Sequence, residues 1–389
     1  MSYKPHFQRF LAADPERLHF AAHSHHFWPD VTLAAQEQCW LDAARLADRK
    51  WEKVFAEVVP AAQRHAARIL NLPDAATIAF GPNTHGFVMR LLSLFPAGKP
   101  IRVLTTDGEF HSFRRQIRRL EEDSLAAVTR VPVEPMATLT DRLTAAASRG
   151  GHDLVFISHV FFNSGYALPD LTAVVRAVPD REAVIVIDGY HGFLALPTDF
   201  GPISGRAFYM AGGYKYAMAG EGACFLHVPP GQALRPRDTG WFASFGTLET
   251  GDDGDVPYAA GGARFLGATF DPVGLYRFNA VMDWLGGLGV SVDAIHAHVH
   301  ALQRDFVDQL ATLELAALNP AQLIVPMEQP NRGHFLTFRT PDAGALHQRL
   351  IDAGVVTDYR GDRLRFGFGL YHDTPDIDRL CDRLARVLA

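Results

Sequence analysis

Cysteine and lysine are both scarce in this chain of 389 residues, and long apolar runs are missing. The three cysteines, Cys39, Cys224 and Cys381, are odd in number and far apart, which argues against a disulfide framework and a paired-cysteine zinc site. No apolar stretch reaches the ~18–20 residues that a membrane-spanning helix needs. The N-terminal segment MSYKPHFQRF carries no apolar signal core, so a cytoplasmic protein is expected. Basic blocks are absent too: 37 basic against 43 acidic side chains give a net charge of −6, and no nucleic-acid partner is expected. With 48% hydrophobic and 21% charged residues, the chain can bury a large core, and global disorder is excluded.

The shortage of lysine is informative. Only Lys4, Lys50, Lys53, Lys99 and Lys215 occur, against 32 arginines, and Lys215 stands alone after the first hundred residues. Codon bias explains the scarcity but not that position.

The first thirty residues read as an irregular arm rich in histidine and aromatics. A helical stretch follows over about 31–70, with Pro60 as a break or kink. Strands are then expected at Ile101–Thr106, Leu154–Val160, Ala183–Asp188, Ala207–Met210 and Ala223–Val228, alternating with helices near 84–95, 109–122, 138–148 and 170–178. Such alternation predicts an α/β fold with a mainly parallel sheet covered on both faces. The Gly-, Asp- and Pro-rich stretch 230–272 reads as a long functional loop. Helices over 273–287 and 291–312 lead into a small α+β module of strands (His334–Arg339, Val355–Tyr359, Leu364–Gly367) and helices (342–353, 374–388). The expected division is an arm over 1–30, a large domain over 31–285 and a small domain over 286–389.

In Ala183-Val-Ile-Val-Ile-Asp188, five apolar residues make a buried parallel strand with a carboxylate at its C-terminal end, the edge where open α/β sheets bind ligands. A carboxylate there needs a cation or several donors. Lys215 follows 27 residues later in Ala211-Gly-Gly-Tyr-Lys-Tyr-Ala-Met-Ala-Gly-Glu-Gly222, where small residues let backbone approach a ligand and an apolar setting lowers an amine's pKa. The pair supplies what pyridoxal phosphate requires: an amine for the imine and a carboxylate for the pyridinium nitrogen. Phe80-Gly-Pro-Asn83-Thr84-His85-Gly86 opens a predicted helix whose free N–H groups suit a phosphate, with Tyr214 as a further donor.

In this order the pieces resemble the class V group of fold-type I pyridoxal-phosphate enzymes, and within it kynureninase. The resemblance covers most of the chain from about residue 20. It is carried by Tyr214-Lys215-Tyr216, Thr239-Gly-Trp241-Phe242, Ala263-Arg-Phe-Leu-Gly-Ala-Thr269 and Asp358-Tyr-Arg-Gly-Asp-Arg-Leu-Arg365-Phe-Gly-Phe-Gly-Leu-Tyr371. It implies that Lys215 holds the cofactor as an imine, Asp188 pairs with the ring nitrogen, His191 lies near the phenolic oxygen and Phe110 stacks on the ring. Asn83, Thr84 and Tyr214 would bind the phosphate. Thr269 would reach the phosphate of a neighbouring subunit, which implies a homodimer with shared active sites. Arg365 would grip the substrate α-carboxylate by a bidentate contact, with His23 and Ser24 near the substrate.

Departures from the family pattern cluster at the substrate side. Phe162, in Phe162-Asn163-Ser164-Gly165, lacks the hydroxyl of the family's tyrosine. Ala22-His23-Ser24-His25-His26 replaces a Gly-Asn-Ser-Leu-Gly type of run, and Phe110 is followed by His-Ser-Phe rather than Pro-Thr-Asp. Zinc would accept imidazoles such as His23, His25 and His26, but no nearby carboxylate or cysteine completes a site, and no metal is expected. The implied activity is kynureninase-like hydrolysis, kynurenine giving anthranilate and alanine. A class V aminotransferase or a β-lyase on another amino acid is the alternative, and a non-catalytic cofactor-binding protein is a third reading, opposed by the retention of Lys215, Asp188 and Arg365 together.

Overall fold

The computed structural model describes residues 2–247 and 254–388. Its strands, in chain order, are β1 (Leu18–His19), β2 (Ile78–Gly81), β3 (Ile101–Thr106), β4 (Ala126–Val131), β5 (Leu154–Ser158), β6 (Val184–Asp188), β7 (Phe208–Ala211), β8 (Cys224–His227), β9 (Phe335–Arg339), β10 (Val355–Val356), β11 (Asp358–Arg360) and β12 (Arg363–Gly367). Seven of them form one sheet in the order β2-β8-β7-β6-β5-β3-β4. Neighbours from β7 to β4 pair in parallel, and β8 runs antiparallel to both β7 and β2. Every residue of β5 and β6 is buried, as expected of strands covered on both faces.

Two strands of the seven-stranded sheet escaped the sequence reading. The four residues of β2 follow directly on a turn, and β4 is an edge strand whose mixed exposure hides it among polar residues. The stretch 31–70 is not one kinked helix. Val31–Leu46 ends at Ala47, which adopts positive φ, and a π-turn over Val54–Val58 precedes Val59–Leu70. Pro60 is the second residue after that turn, and its ring and missing N–H disfavour a regular ladder to the residues of the turn. The N-terminal arm is more ordered than expected, with a helical turn at Gln8–Ala12 and β1 paired in parallel with β10. Of the loop expected over 230–272, residues 248–253 lie outside the described residues, and the rest contains short helical segments at Trp241–Thr247 and Gly261–Phe265.

One set of hydrophobic clusters covers the two faces of the seven-stranded sheet. A second joins Leu18 and Phe20 to the helices Val292–Thr312 and Thr374–Leu388 and to the three-stranded antiparallel sheet β11-β12-β9. Among the described residues no helix is long and apolar enough to cross a membrane.

Candidate active site

The parallel register sets Ser158 of β5 and Met210 of β7 on either side of Asp188, at the C-terminal edge of the sheet. Asp188 is buried and accepts the Tyr190 N–H at 3.0 Å. Burial raises its pKa, while that hydrogen bond and the charge of Lys215 oppose the rise. The loop after β7 brings Lys215 to the same edge. Its Nζ lies 2.5 Å from His191 Nε2 and 5.3 Å from the centroid of the Phe110 ring. Burial, reinforced by the positive charge of Arg365, lowers the Lys215 pKa to about 7, with Asp188 pulling the other way. The same two causes, with Lys215 added, hold His191 neutral, and its Nδ1 has no hydrogen-bond partner.

A cavity of about 200 Å³ is lined by Asn83, Thr84, Phe110, Asp188, His191, Tyr214 and Lys215, so seven of the eight residues expected to hold the cofactor share one space. Asn83 caps the helix Thr84–Leu92, its Oδ1 accepting the Gly86 N–H at 2.9 Å, and the N-terminal end of that helix suits an anion. Tyr214 stacks on His25 at 4.9 Å, and burial pushes its phenol up to about 12, so it stays a donor. The eighth residue, Thr269, is exposed and does not line the cavity.

The donor set fits pyridoxal phosphate: a buried amine whose pKa is lowered to about 7, a carboxylate, an aromatic face and a helix N-terminus line one space.

The substrate-side residues are placed differently. Arg365 is buried and does not line the cavity. Its Nε donates to Asp358 Oδ1 at 2.9 Å, its Nη2 reaches the same oxygen, and its Nη1 donates to the Phe162 carbonyl. The three clustered histidines separate: His23 and His26 are buried, whereas His25 is exposed, with Nε2 3.8 Å from Glu221. Ser24 is partly exposed, its Oγ 3.3 Å from His25 Nδ1. Phe162 lines the cavity and meets Phe110 edge-on at 5.4 Å, so a hydrocarbon wall stands where the hydroxyl is missing.

Sequence reasoning missed two acids. Asp358 belongs to the quoted motif, but only the pairing of β11 with β12 sets it opposite Arg365. Glu109 is 1% exposed and accepts hydrogen bonds from Thr106 Oγ1 and Ser158 Oγ, both at 2.6 Å. Burial pushes its carboxyl up to about 7. A glutamate beside Phe110 at the end of a strand was the available signal. The thiol of Cys224, also at the cavity, is pushed up to about 11 by burial, so it is no nucleophile at neutral pH.

Comparison with known proteins places this geometry. The kynureninase C-terminal domain family matches residues 295–384, the stretch that contains Asp358 and Arg365. A kynureninase of Deinococcus radiodurans is 30% identical over 240 residues, covering 60% of this chain and 57% of that protein. The chain thus matches little more than half the length of that relative. The isopenicillin N epimerase of Streptomyces clavuligerus is 27% identical over 350 residues, 83% of each chain. Among solved structures, a lysine-to-alanine mutant of C-DES with glycine linked to its pyridoxal-phosphate cofactor superposes with a TM-score of 0.82 at 18% identity, covering both chains fully.

Proposed function

We propose that this chain, which belongs to the class V group of fold-type I pyridoxal-phosphate enzymes and stands close to kynureninase, hydrolyses the Cβ–Cγ bond of a kynurenine-type amino acid to alanine and an anthranilate. The observation that carries this reading is the buried Lys215 amine, its pKa lowered to about 7, 2.5 Å from His191 Nε2 and sharing a cavity with Asp188.

In this reading Lys215 would hold the aldehyde carbon of pyridoxal phosphate, Asp188 the ring nitrogen, Phe110 one ring face, and Asn83, Thr84 and Tyr214 the phosphate. When bound, the cofactor supplies an electron sink for charge that develops beside the amino group of an amino acid. Lys215 Nζ, poised near neutrality, would take the α-proton when it is free, and neutral His191 Nε2 at 2.5 Å would orient it as a hydrogen-bond acceptor. The Arg365 guanidinium draws the substrate carboxylate, and Phe162 with Phe110 offers a flat apolar wall to an aryl ketone. One water is consumed: its oxygen joins the released acyl group and its proton the alanine carbon. We also propose a homodimer, with exposed Thr269 reaching the partner's phosphate site; sedimentation of the holoenzyme tests it, and a monomer removes the claim.

The match over 83% of both chains to an epimerase supports a second reading, in which the α-proton is moved without C–C cleavage. An aminotransferase or β-lyase would use the same lysine. Incubating holoenzyme with L-kynurenine and 3-hydroxykynurenine, and reading anthranilates and alanine by mass spectrometry, separates these. Absence of both products, alongside exchange of the α-proton with deuterated solvent, favours the second.

A further inference from the structure

The substrate side holds buried polar atoms that the described contacts leave unsatisfied. His23 is 1% exposed, and neither of its ring nitrogens has a hydrogen-bond partner. The Tyr216 phenol, also buried, is unpartnered as well. Native proteins pair nearly all such groups, so an imidazole with both nitrogens idle marks a place where a partner arrives. The ring is held by packing. It stacks on Phe335 at 4.7 Å with an interplanar angle of 22°. Behind it stands Gly367, where a Cβ would fall 2.2 Å from His23 Nδ1. Only glycine leaves room for this ring.

Arg365 supplies the second observation. Two of its three nitrogens already serve Asp358 and the third serves the Phe162 carbonyl. A guanidinium so occupied still attracts an anion, but it offers no free Nε–Nη2 edge to a carboxylate. A carboxylate brought there needs a donor from elsewhere. Phe335 joins these groups: its ring stacks on His23, and its centroid lies 5.9 Å from Arg365 Cζ and 5.4 Å from the His191 ring.

We propose that His23 is a substrate-binding residue that donates a ring N–H to the α-carboxylate beside Arg365, with the Tyr216 hydroxyl as a further donor. This rests on the reading of the site as one for α-amino acids. It makes the histidine of the N-terminal arm, rather than Arg365 alone, the group that distinguishes an amino acid from a simple amine.

The test titrates the holoenzyme with L-alanine and with ethylamine, which lacks the carboxylate, and follows heat of binding and the visible spectrum. Wild type is expected to prefer L-alanine. In His23→Ala that preference falls by about tenfold or more, the loss of a hydrogen bond to a charged group, while ethylamine binds as before. His23→Leu, closer in volume to the lost ring, serves if the alanine variant does not fold, and Tyr216→Phe gives a smaller drop in the same direction. If the preference survives in His23→Ala and His23→Leu but collapses in Arg365→Ala, the role of His23 is refuted and the amino-acid reading stands. If wild type itself shows no preference, both fall.

Discussion

Formaldehyde with a mild borane reductant methylates neutral amines, so the pH at which Lys215 of the cofactor-free protein becomes reactive reports its protonation directly. An ordinary lysine near pKa 10.4 is neutral in about one molecule in 2,500 at pH 7. Lys215, lowered to about 7, is neutral in about half. Labelling over pH 5–9, quantified on the Lys215 peptide by mass spectrometry, is therefore expected to rise with a midpoint near 7 and then level off, with exposed Lys99 on the same chain as reference. The causes of the shift make signed companions. Arg365→Leu removes a cation that disfavours the ammonium, so the midpoint moves up; Asp188→Asn removes a carboxylate that favours it, so the midpoint moves down. A linkage effect follows. Between about pH 7 and 10 the unfolded chain keeps a proton on this lysine that the native state has lost, so the contribution of Lys215 to stability rises with pH there. A wild-type midpoint above 9, or movement of both variants in the same direction, would refute the account of the site electrostatics.

Three further outcomes are expected. His26, His159 and His227 are lowered to about 4 and His372 to about 3, in each case chiefly by burial. The unfolded chain takes up these protons below pH 6.5 while the native state does not, so stability present above 6.5 is lost as pH falls toward 4. Four protons, less about one released by the raised Glu109, contribute a slope of about 4 kcal/mol per pH unit near pH 5, and His19 and His300, also lowered to about 3 by burial, act in the same direction; urea titrations showing equal stability at pH 7 and 5 would contradict it. Gly367→Ala places a methyl 2.2 Å from His23 Nδ1 and 2.8 Å from the His23 backbone nitrogen, and is expected to lower the urea midpoint by the equivalent of about 1–3 kcal/mol and weaken amino-acid binding. Lys53→Met leaves the buried Asp42 carboxylate with Gln38, Tyr276 and Arg45 at 3.5 Å but without its closest cation at 2.5 Å, at a cost of about 1.5–3 kcal/mol in thermal unfolding; an unchanged transition would mean the pair is not formed in solution.

The cofactor end of the site was legible because each of its parts is local in sequence. Five apolar residues ending in Asp188 announce a buried parallel strand and its reactive edge. Asn83 and Thr84 announce a helix start, and Lys215 is marked by the rarity of lysine and by its small neighbours. The fold places these parts in one cavity. β4 stayed hidden because an edge strand need not be apolar on both faces, and Glu109 because a glutamate gives no sign of burial until its two hydroxyl donors are found.

The substrate end was not legible, for a reason rooted in chain topology. His23 packs on Phe335 and against Gly367, and Arg365 donates to the carbonyl of Phe162. Each of these contacts joins segments about 200 residues apart or more, so no window of the sequence contains both partners. The three arm histidines looked equivalent as a run, and only packing separates buried His23 and His26 from exposed His25. The same topology lets the two ends vary independently. On the proposed role of His23, exchanging that residue changes what meets Arg365 while leaving the strand end and the helix start untouched, whereas His25 and His26 of the same arm contact Tyr214 of the lysine loop. The departures at His23, His111 and Phe162 lie at that interchangeable end. Replacing them with the family residues is therefore expected to move substrate preference while the cofactor's visible spectrum and affinity stay the same. A variant set that lost the cofactor instead would show that the two ends are not separable in this fold.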